Sequence, residues 1–315
     1  MFEQIRQCIE AYDTIIIHRH KNPDGDAIGS QVGLKHIIKK NFPETRVLCV
    51  GDPAGRYAFM EDSVMDEVAD EEYKDALAII LDTSASALIS DDRYTTAKMT
   101  VRIDHHIFCE TIAQVEVTDT SYESCCGLVT ALAMECGWEL TPTAAKSLYT
   151  GMITDSGRFR YDSTSSQTFR LAAFLMEQKF NTGDIYRALY ADDFSFIRLR
   201  AQFVLKIQFY GNGRVAYIYT TKEEASGYGF DLFTISRGMV NVMSEIRGVD
   251  VWVNFTESED GVLTEIRSSL YNINPIAKKY GGGGHAKASG ATVANKEAAM
   301  QMLSDLEALT KETIA

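Results

Sequence analysis

Acids and histidines that could do chemistry fall in four short segments of this 315-residue chain, far apart in sequence. His18, His20, Asp24 and Asp26 lie in HRHKNPDGD, and Asp82 stands alone in LDTS. Asp104, His105 and His106 are consecutive in IDHH, and Asp155 closes GMITD. Carboxylates gathered in one place repel one another, which raises some of their pKa values. A divalent cation removes that conflict. The donors are oxygen-rich with a few imidazoles and no thiolate, a set that suits Mn²⁺ or a similar octahedral ion better than structural zinc. Two such ions ~3.5–4 Å apart can share a carboxylate, activate a water and hold a phosphoryl oxygen. Asp82, alone in its segment, is the candidate for the shared bridge.

Taken singly, each residue has a duller explanation. Asp24 in NPDGD reads as a turn residue, Asp26 as a cap for the helix that follows, and Asp82 and Asp104 as acids starting turns at strand ends. Their joint occurrence, with His20 and the His105-His106 pair, is what favours a metal centre. His36, among lysines on a helix, reads as a surface histidine.

The elements around these segments say how they could meet. DTIIIHRH (13–20), RVLCVGD (46–52), ALAIILDT (76–83) and MTVRIDHH (99–106) are apolar runs of strand length. AIGSQVGLKHIIKK (27–40), SCCGLVTALAMECG and TPTAAKSLYTGMITD are helix-like, the last with Thr141 as cap and Pro142 in its first turn. Strands alternating with helices predict an α/β fold whose sheet is mostly parallel and covered on both faces. In such a sheet the loops after the strands share one rim, where ligands bind. Four distant segments can thus place their side chains in one crevice.

Two further helical stretches, SQTFRLAAFLMEQKF and NTGDIYRALYADDFSFIRLRAQFVLKI, lead away from that sheet. The organisation expected is a catalytic domain over 1–190, a helical linker over 191–212 and a smaller α/β domain with a mixed sheet over 213–315. In that domain GRVAYIYTT, VDVWVNFTE and VLTEIRSSLY alternate at period two, as half-buried strands do, and NKEAAMQMLSDLEALTKE is an amphipathic helix. The GGGG run at 281–284 lies between a helix-like NPIAKKY and a strand-like ASGATV, so it reads as part of the domain.

Bulk properties narrow the class. A formal net charge of −13 disfavours binding to long duplex nucleic acid, which needs a basic track; a short phosphorylated ligand held locally is compatible with it. Hydrophobic residues at 45% supply a full core. No apolar run reaches the ~18–20 residues of a membrane span, and the N-terminus lacks a signal peptide's apolar region. The six cysteines form no CxxC pair, and vicinal Cys125-Cys126 reads as two small buried thiols. Reduced thiols fit the cytoplasm.

HKNPDGDAIGS (20–30), LDTS (81–84), IDHH (103–106) and GMITDSGRFRY (151–161) resemble the four motifs of the DHH phosphoesterase family. EIRSS (265–269) with GGGGHAKASGA (281–291) resembles its DHH-associated C-terminal domain. The likeness spans nearly the whole chain, in order, and looks like the branch that acts on nanoRNA and pAp. It implies that His20 and Asp24 hold one metal ion, that Asp26, His105 and Asp155 hold the other, and that Asp82 bridges them. His106 would be catalytic, donating to the scissile phosphate or the leaving oxygen, with Asp104 orienting a histidine. His18 does not match a ligand position.

Substrate contacts implied are Arg158, Arg267, Gly282, Gly283, Gly284 and His285, with the glycine run letting backbone N–H groups approach an anion. The expected reaction is in-line attack of an activated water on phosphorus in short oligoribonucleotides, linear dinucleotides such as pApA, or pAp. A substrate gripped by both domains would be limited to short oligomers. The resemblance further implies two divalent ions, Mn²⁺ by preference, and a monomer or homodimer. A cyclic di-AMP phosphodiesterase would use the same residues. A non-catalytic nucleotide sensor would lack metal ligands that this chain has. Relatives often place a polar residue, commonly Asn, soon after DHH, where this chain reads IFCET.

Overall fold

The computed structural model describes residues 1–311. The chain separates into two compact units, residues 1–191 and 192–315. The first unit runs α1 (Glu3–Ala11), β1 (Thr14–His18), α2 (Gly25–Asn41), β2 (Arg46–Cys49), β3 (Leu77–Leu81), β4 (Met99–Asp104) and β5 (Val115–Thr118). Four helices follow: α3 (Cys125–Cys136), α4 (Pro142–Asp155), α5 (Ser166–Met176) and α6 (Thr182–Tyr190). All five strands are parallel, in the order β2-β1-β3-β4-β5. The order reverses between β1 and β3, the switch point at which open α/β sheets bind ligands.

The four apolar runs read as strands are β1 to β4. The fifth, β5, carries no such run. All four of its residues are only half buried, because it lies at the sheet edge and pairs with β4 alone. One face of the sheet packs Ile15, Ile17, Leu77, Ile79, Leu81, Val101 and Ile103 against α1 to α5. The other packs Ile16, Ala78 and Ile80 against short turns that carry Tyr73 and Tyr94.

Helix α2 lies close to α4 because Gly29 has no side chain. A Cβ there would stand 2.6 Å from the Ser147 carbonyl oxygen and 3.0 Å from Cys126 Sγ. The first of these is backbone and cannot rotate away. Gly29→Ala is therefore expected to destabilise the protein by about 1–3 kcal/mol through overpacking. The check is a fall in urea midpoint at unchanged slope.

The second unit comprises α7 (Phe194–Leu205), β6 (Gln208–Tyr210), β7 (Val215–Thr220), α8 (Lys222–Gly227), β8 (Val251–Ser258) and β9 (Gly261–Ser268). It continues through α9 (Asn274–Lys279), β10 (Gly283–Gly284), β11 (Ala288–Val293) and α10 (Lys296–Leu309). Its six-stranded sheet has the order β10-β11-β9-β8-β7-β6 and is mixed, with β7 parallel to β8 and the other pairs antiparallel. Within the segment expected as a linker, α7 buries Leu199 and Phe203 against Ala216 and Ile218, so this helix belongs to the core of the second unit. The amphipathic C-terminal stretch forms α10; residues 312–315 lie outside the described residues.

β9 alternates as expected. β8 does not: Val251 to Thr256 are buried without interruption. Its second face is covered by the 234–243 turn, to which Asn254 Nδ2 donates at the Ile235 and Ser236 carbonyls (2.8 and 2.6 Å). Among the described residues no helix is long and apolar enough to cross a membrane.

Candidate active site

Each acid reaches the rim for a local reason. After β1 the chain turns through Asn22 into α2, and Asp24 caps that helix by accepting from the Asp26 and Ala27 N–H groups (3.0 Å each). The cap is Asp24, not Asp26. The Asp26 carboxylate is instead fully buried and cradled at the N-terminus of α3, where Cys125 N and Cys126 N donate to it at 2.7 and 2.8 Å. That is what the vicinal cysteines supply: backbone donors, with both thiols free and buried.

Asp82 follows β3 with φ of +52°, a left-handed conformation that Asp tolerates better than most residues. It is 2% exposed, and its Oδ1 is buried without a hydrogen-bond partner. Asp104 and the two histidines follow β4, and Asp155 is the last residue of α4.

These side chains converge. His20 Nδ1–H donates to the Lys21 carbonyl (2.8 Å), leaving Nε2 3.8 Å from Asp24 Oδ1 and 3.4 Å from Asp82 Oδ2. His105 Nε2 is 3.7 Å from Asp26 Oδ2, 3.5 Å from Asp82 Oδ1 and 3.4 Å from Asp155 Oδ2. His106 Nδ1 lies 2.8 Å from Asp104 Oδ1 and 3.6 Å from Asp82 Oδ1. Donor atoms fall into three ligand-competent groups: His20, Asp24 and Asp82; Asp26, His105 and Asp155; and Asp82, His105 and His106. Asp82 belongs to two of them, and so does His105.

The electrostatics suit a cation. Burial, reinforced by Asp82, pushes Asp26 well above the usual carboxylate range. Burial and the charges of Asp82 and Asp24 push Asp155 up to about 6, with His105 opposing. Burial disfavours the charged forms of His20 and His105, but the surrounding carboxylates override it and push both up to about 10. Protons thus stand in for missing positive charge. A divalent ion would displace them and meet the unpartnered Asp82 oxygen, and in this sense the residues fit metal ions.

His18 is not part of the cluster. It is fully buried between Tyr73 and Tyr94, and burial pushes its pKa down to about 4. His36 pairs with Asp62 at 3.3 Å on the far part of α2.

The sequence reading missed Arg19. Its side chain is fully buried and, among the described residues, has no carboxylate partner, donating to Gln31 Oε1 (2.8 Å), the His20 carbonyl (3.3 Å) and the Asp52 carbonyl. It therefore ties the His20 backbone to the loop after β2. Its one outward signal was a cation flanked by histidines at the end of an apolar strand. Also missed was Arg102, buried and paired with Glu116 (3.0 Å), which itself accepts from Ile112 N and Ala113 N. This pair fastens the loop that leaves His106.

In the second unit, Arg267 on β9 is held by Glu265 (3.0 Å) and the Ile266 carbonyl (2.9 Å). Gly283 and Gly284 pair with β11, and a Cβ at Gly282 would stand 2.0 Å from the Gly290 carbonyl oxygen. The glycine run is thus required at least in part by the hairpin itself. His285 is exposed beyond it, its N–H donating to the Ala288 carbonyl (2.7 Å).

A parallel α/β sheet with an acid-and-imidazole cluster at its switch point defines the class: a metal-dependent hydrolase fold. Residues 14–152 match the N-terminal domain of the DHH family, and residues 233–312 match the DHHA1 domain. The chain belongs to the DHH family. It is 34% identical to the bifunctional oligoribonuclease and PAP phosphatase NrnA of Bacillus subtilis, over 99% of each chain. A crystal structure of an exopolyphosphatase-related protein from Bacteroides fragilis superposes with a TM-score of 0.82 at 27% identity, covering 98% of this chain and 95% of that one. The cyclic-di-AMP phosphodiesterase PdeA of Listeria monocytogenes is a weaker match, 24% identical over 98% of this chain but 50% of its own.

Proposed function

We propose that this protein hydrolyses short oligoribonucleotides, including linear dinucleotides such as pApA, and the bisphosphate pAp. The observation that carries the reading is the set of overlapping ligand groups joined through Asp82 and His105, on a chain similar over its full length to an oligoribonuclease and PAP phosphatase. His20, Asp24 and Asp82 would hold one divalent ion, and Asp26, His105 and Asp155 the other, with Asp82 shared. Mn²⁺ is the ion this donor set favours. Two ions so held supply charge neutralisation at the phosphoryl oxygens and a water of lowered pKa.

The chain's own groups do the rest. One P–O bond forms to a water oxygen and the bond to the leaving ribose oxygen breaks. His106, held at Nδ1 by Asp104, presents its other nitrogen to protonate that oxygen. Arg158 is a substrate contact of the first unit, and Arg267, His285 and the backbone of Gly282, Gly283 and Gly284 are substrate contacts of the second. The free cysteines favour a cytoplasmic location, and a monomer or homodimer is the assembly we expect.

The test is a competition. The Mn²⁺-loaded protein is given equal concentrations of pApA, pAp and cyclic di-AMP, with a parallel sample treated with chelator. The expected result is fast, chelator-sensitive loss of pApA or pAp. Fastest loss of cyclic di-AMP would make the protein a second-messenger phosphodiesterase, and no turnover of any would sink the proposal.

A further inference from the structure

Two arginines, one three residues after Asp155 and one next to a tyrosine packed on α2, have no acids of their own among the described residues. Arg56 and Arg158 are both exposed, and among the described residues neither is paired with a carboxylate. Arg93 and Arg102, by contrast, are neutralised by Asp91 and Glu116. Both unpaired guanidinium groups are anchored on the last two residues of α6. Arg56 Nη2 donates to the Leu189 carbonyl (3.0 Å), and the Arg158 guanidinium carbon lies 3.9 Å from the centre of the Tyr190 ring.

Their placement ties them to the site. Arg158 is three residues beyond Asp155. Tyr57, next to Arg56, packs on Ile28 and Val32 of α2. Asp24, the Gly25 N–H and Tyr190 all act on its hydroxyl. The backbone that presents Arg158 is itself unusual: Gly157, Arg158 and Phe159 have φ of +57°, +64° and +62°. Two of these are not glycine, so the turn costs energy. It is held by Arg158 N donating to the Ile153 carbonyl (2.8 Å) and Phe159 N to Ser156 Oγ (2.9 Å).

We infer that Arg56 and Arg158 form a clamp for a terminal phosphate of the substrate, the one that is not cleaved. This rests on the function proposed above. A dianionic phosphate next to so many carboxylates would be repelled unless local cations received it. Exposed guanidinium groups stiffened by tyrosine and backbone contacts meet that need with little ordering cost. The clamp selects terminally phosphorylated nucleotides over those ending in a hydroxyl.

The experiment measures kcat/KM of the Mn²⁺-loaded protein for pApA and for unphosphorylated ApA, in wild type, Arg56→Gln, Arg158→Gln and Arg56→Lys. Wild type is expected to favour pApA by about tenfold or more, the worth of one or two charge-assisted hydrogen bonds. Each glutamine variant should cut that ratio by about tenfold, and the lysine should restore part of it. Equal wild-type rates on the two dinucleotides would overturn the clamp while leaving the proposed function standing. So would glutamine variants that lower both rates in proportion, the mark of a merely structural role. Hydrolysis of neither dinucleotide would remove the function and the clamp together.

Discussion

Asp82→Asn is expected to lower kcat on pApA by at least about 10³-fold, with the protein still folded. Asn is the informative replacement because residue 82 has φ of +52°, where Asn is at ease and Ala is strained. The Asn variant removes the charge and keeps the turn. Asp82 is the residue for which the loss should be greatest. It is 2% exposed, lies 3.4 Å from His20 and 3.5 Å from His105, and joins two of the ligand-competent groups.

A second readout needs no turnover. Anything that binds only the folded state raises its melting temperature, so Mn²⁺ should stabilise the wild type and stabilise Asp82→Asn much less. The measurement is a thermal melt of each protein with and without Mn²⁺, beside a steady-state assay. Asp82→Asn activity within tenfold of wild type would sink the shared-bridge assignment. Lost activity with an undiminished Mn²⁺ shift would assign Asp82 to chemistry instead of binding.

The parts of this site that could be read from sequence are those with a local signature. Each acid-bearing segment ends an apolar run of strand length or closes a helix, and parallel strands bring such ends to one rim. Thr141 and Pro142 announced α4 and hence the position of Asp155 at its end. What escaped is what depends on partners far along the chain. Nothing near Asp26 says that its carboxylate will be met by the N–H groups of residues 125 and 126. Ser124, which caps α3, was the only hint of a helix N-terminus there.

The same limit explains Arg19 and Arg56. Arg19 showed only as a cation between two histidines at the end of an apolar strand, yet it is completely buried, with Gln31 and the Asp52 and His20 carbonyls as its partners. Arg56 lies outside every motif, and only the fold gives it Leu189 of α6 as a partner and sets its neighbour Tyr57 on α2. Edge strand β5 escaped for a different reason: a strand with one neighbour and a half-wet face needs no apolar run. β8 misled in the opposite direction, because cover from 234–243 buried a face that alternation would have left open.

His106→Ala should cost about 10²–10³ in kcat on pApA with little change in KM, the pattern of a group that acts in the transition state. The ring is placed for proton donation. Nδ1 is 2.8 Å from Asp104 Oδ1, and this bond holds the His106 pKa above its ordinary value against burial. Asp104 is completely buried, so its own charge is screened by little besides the imidazole. A leaving group much more acidic than a ribose hydroxyl departs as its anion and needs no donated proton. On a p-nitrophenyl ester of a nucleotide, the same variant should therefore lose less than about tenfold. Asp104→Asn should follow the same order with smaller losses, since it misorients the ring without removing it. Equal losses on both substrates would instead make His106 a phosphate-binding or metal-binding residue. That assignment would agree with its place in the group shared with Asp82 and His105, and the proton would then have to come from water.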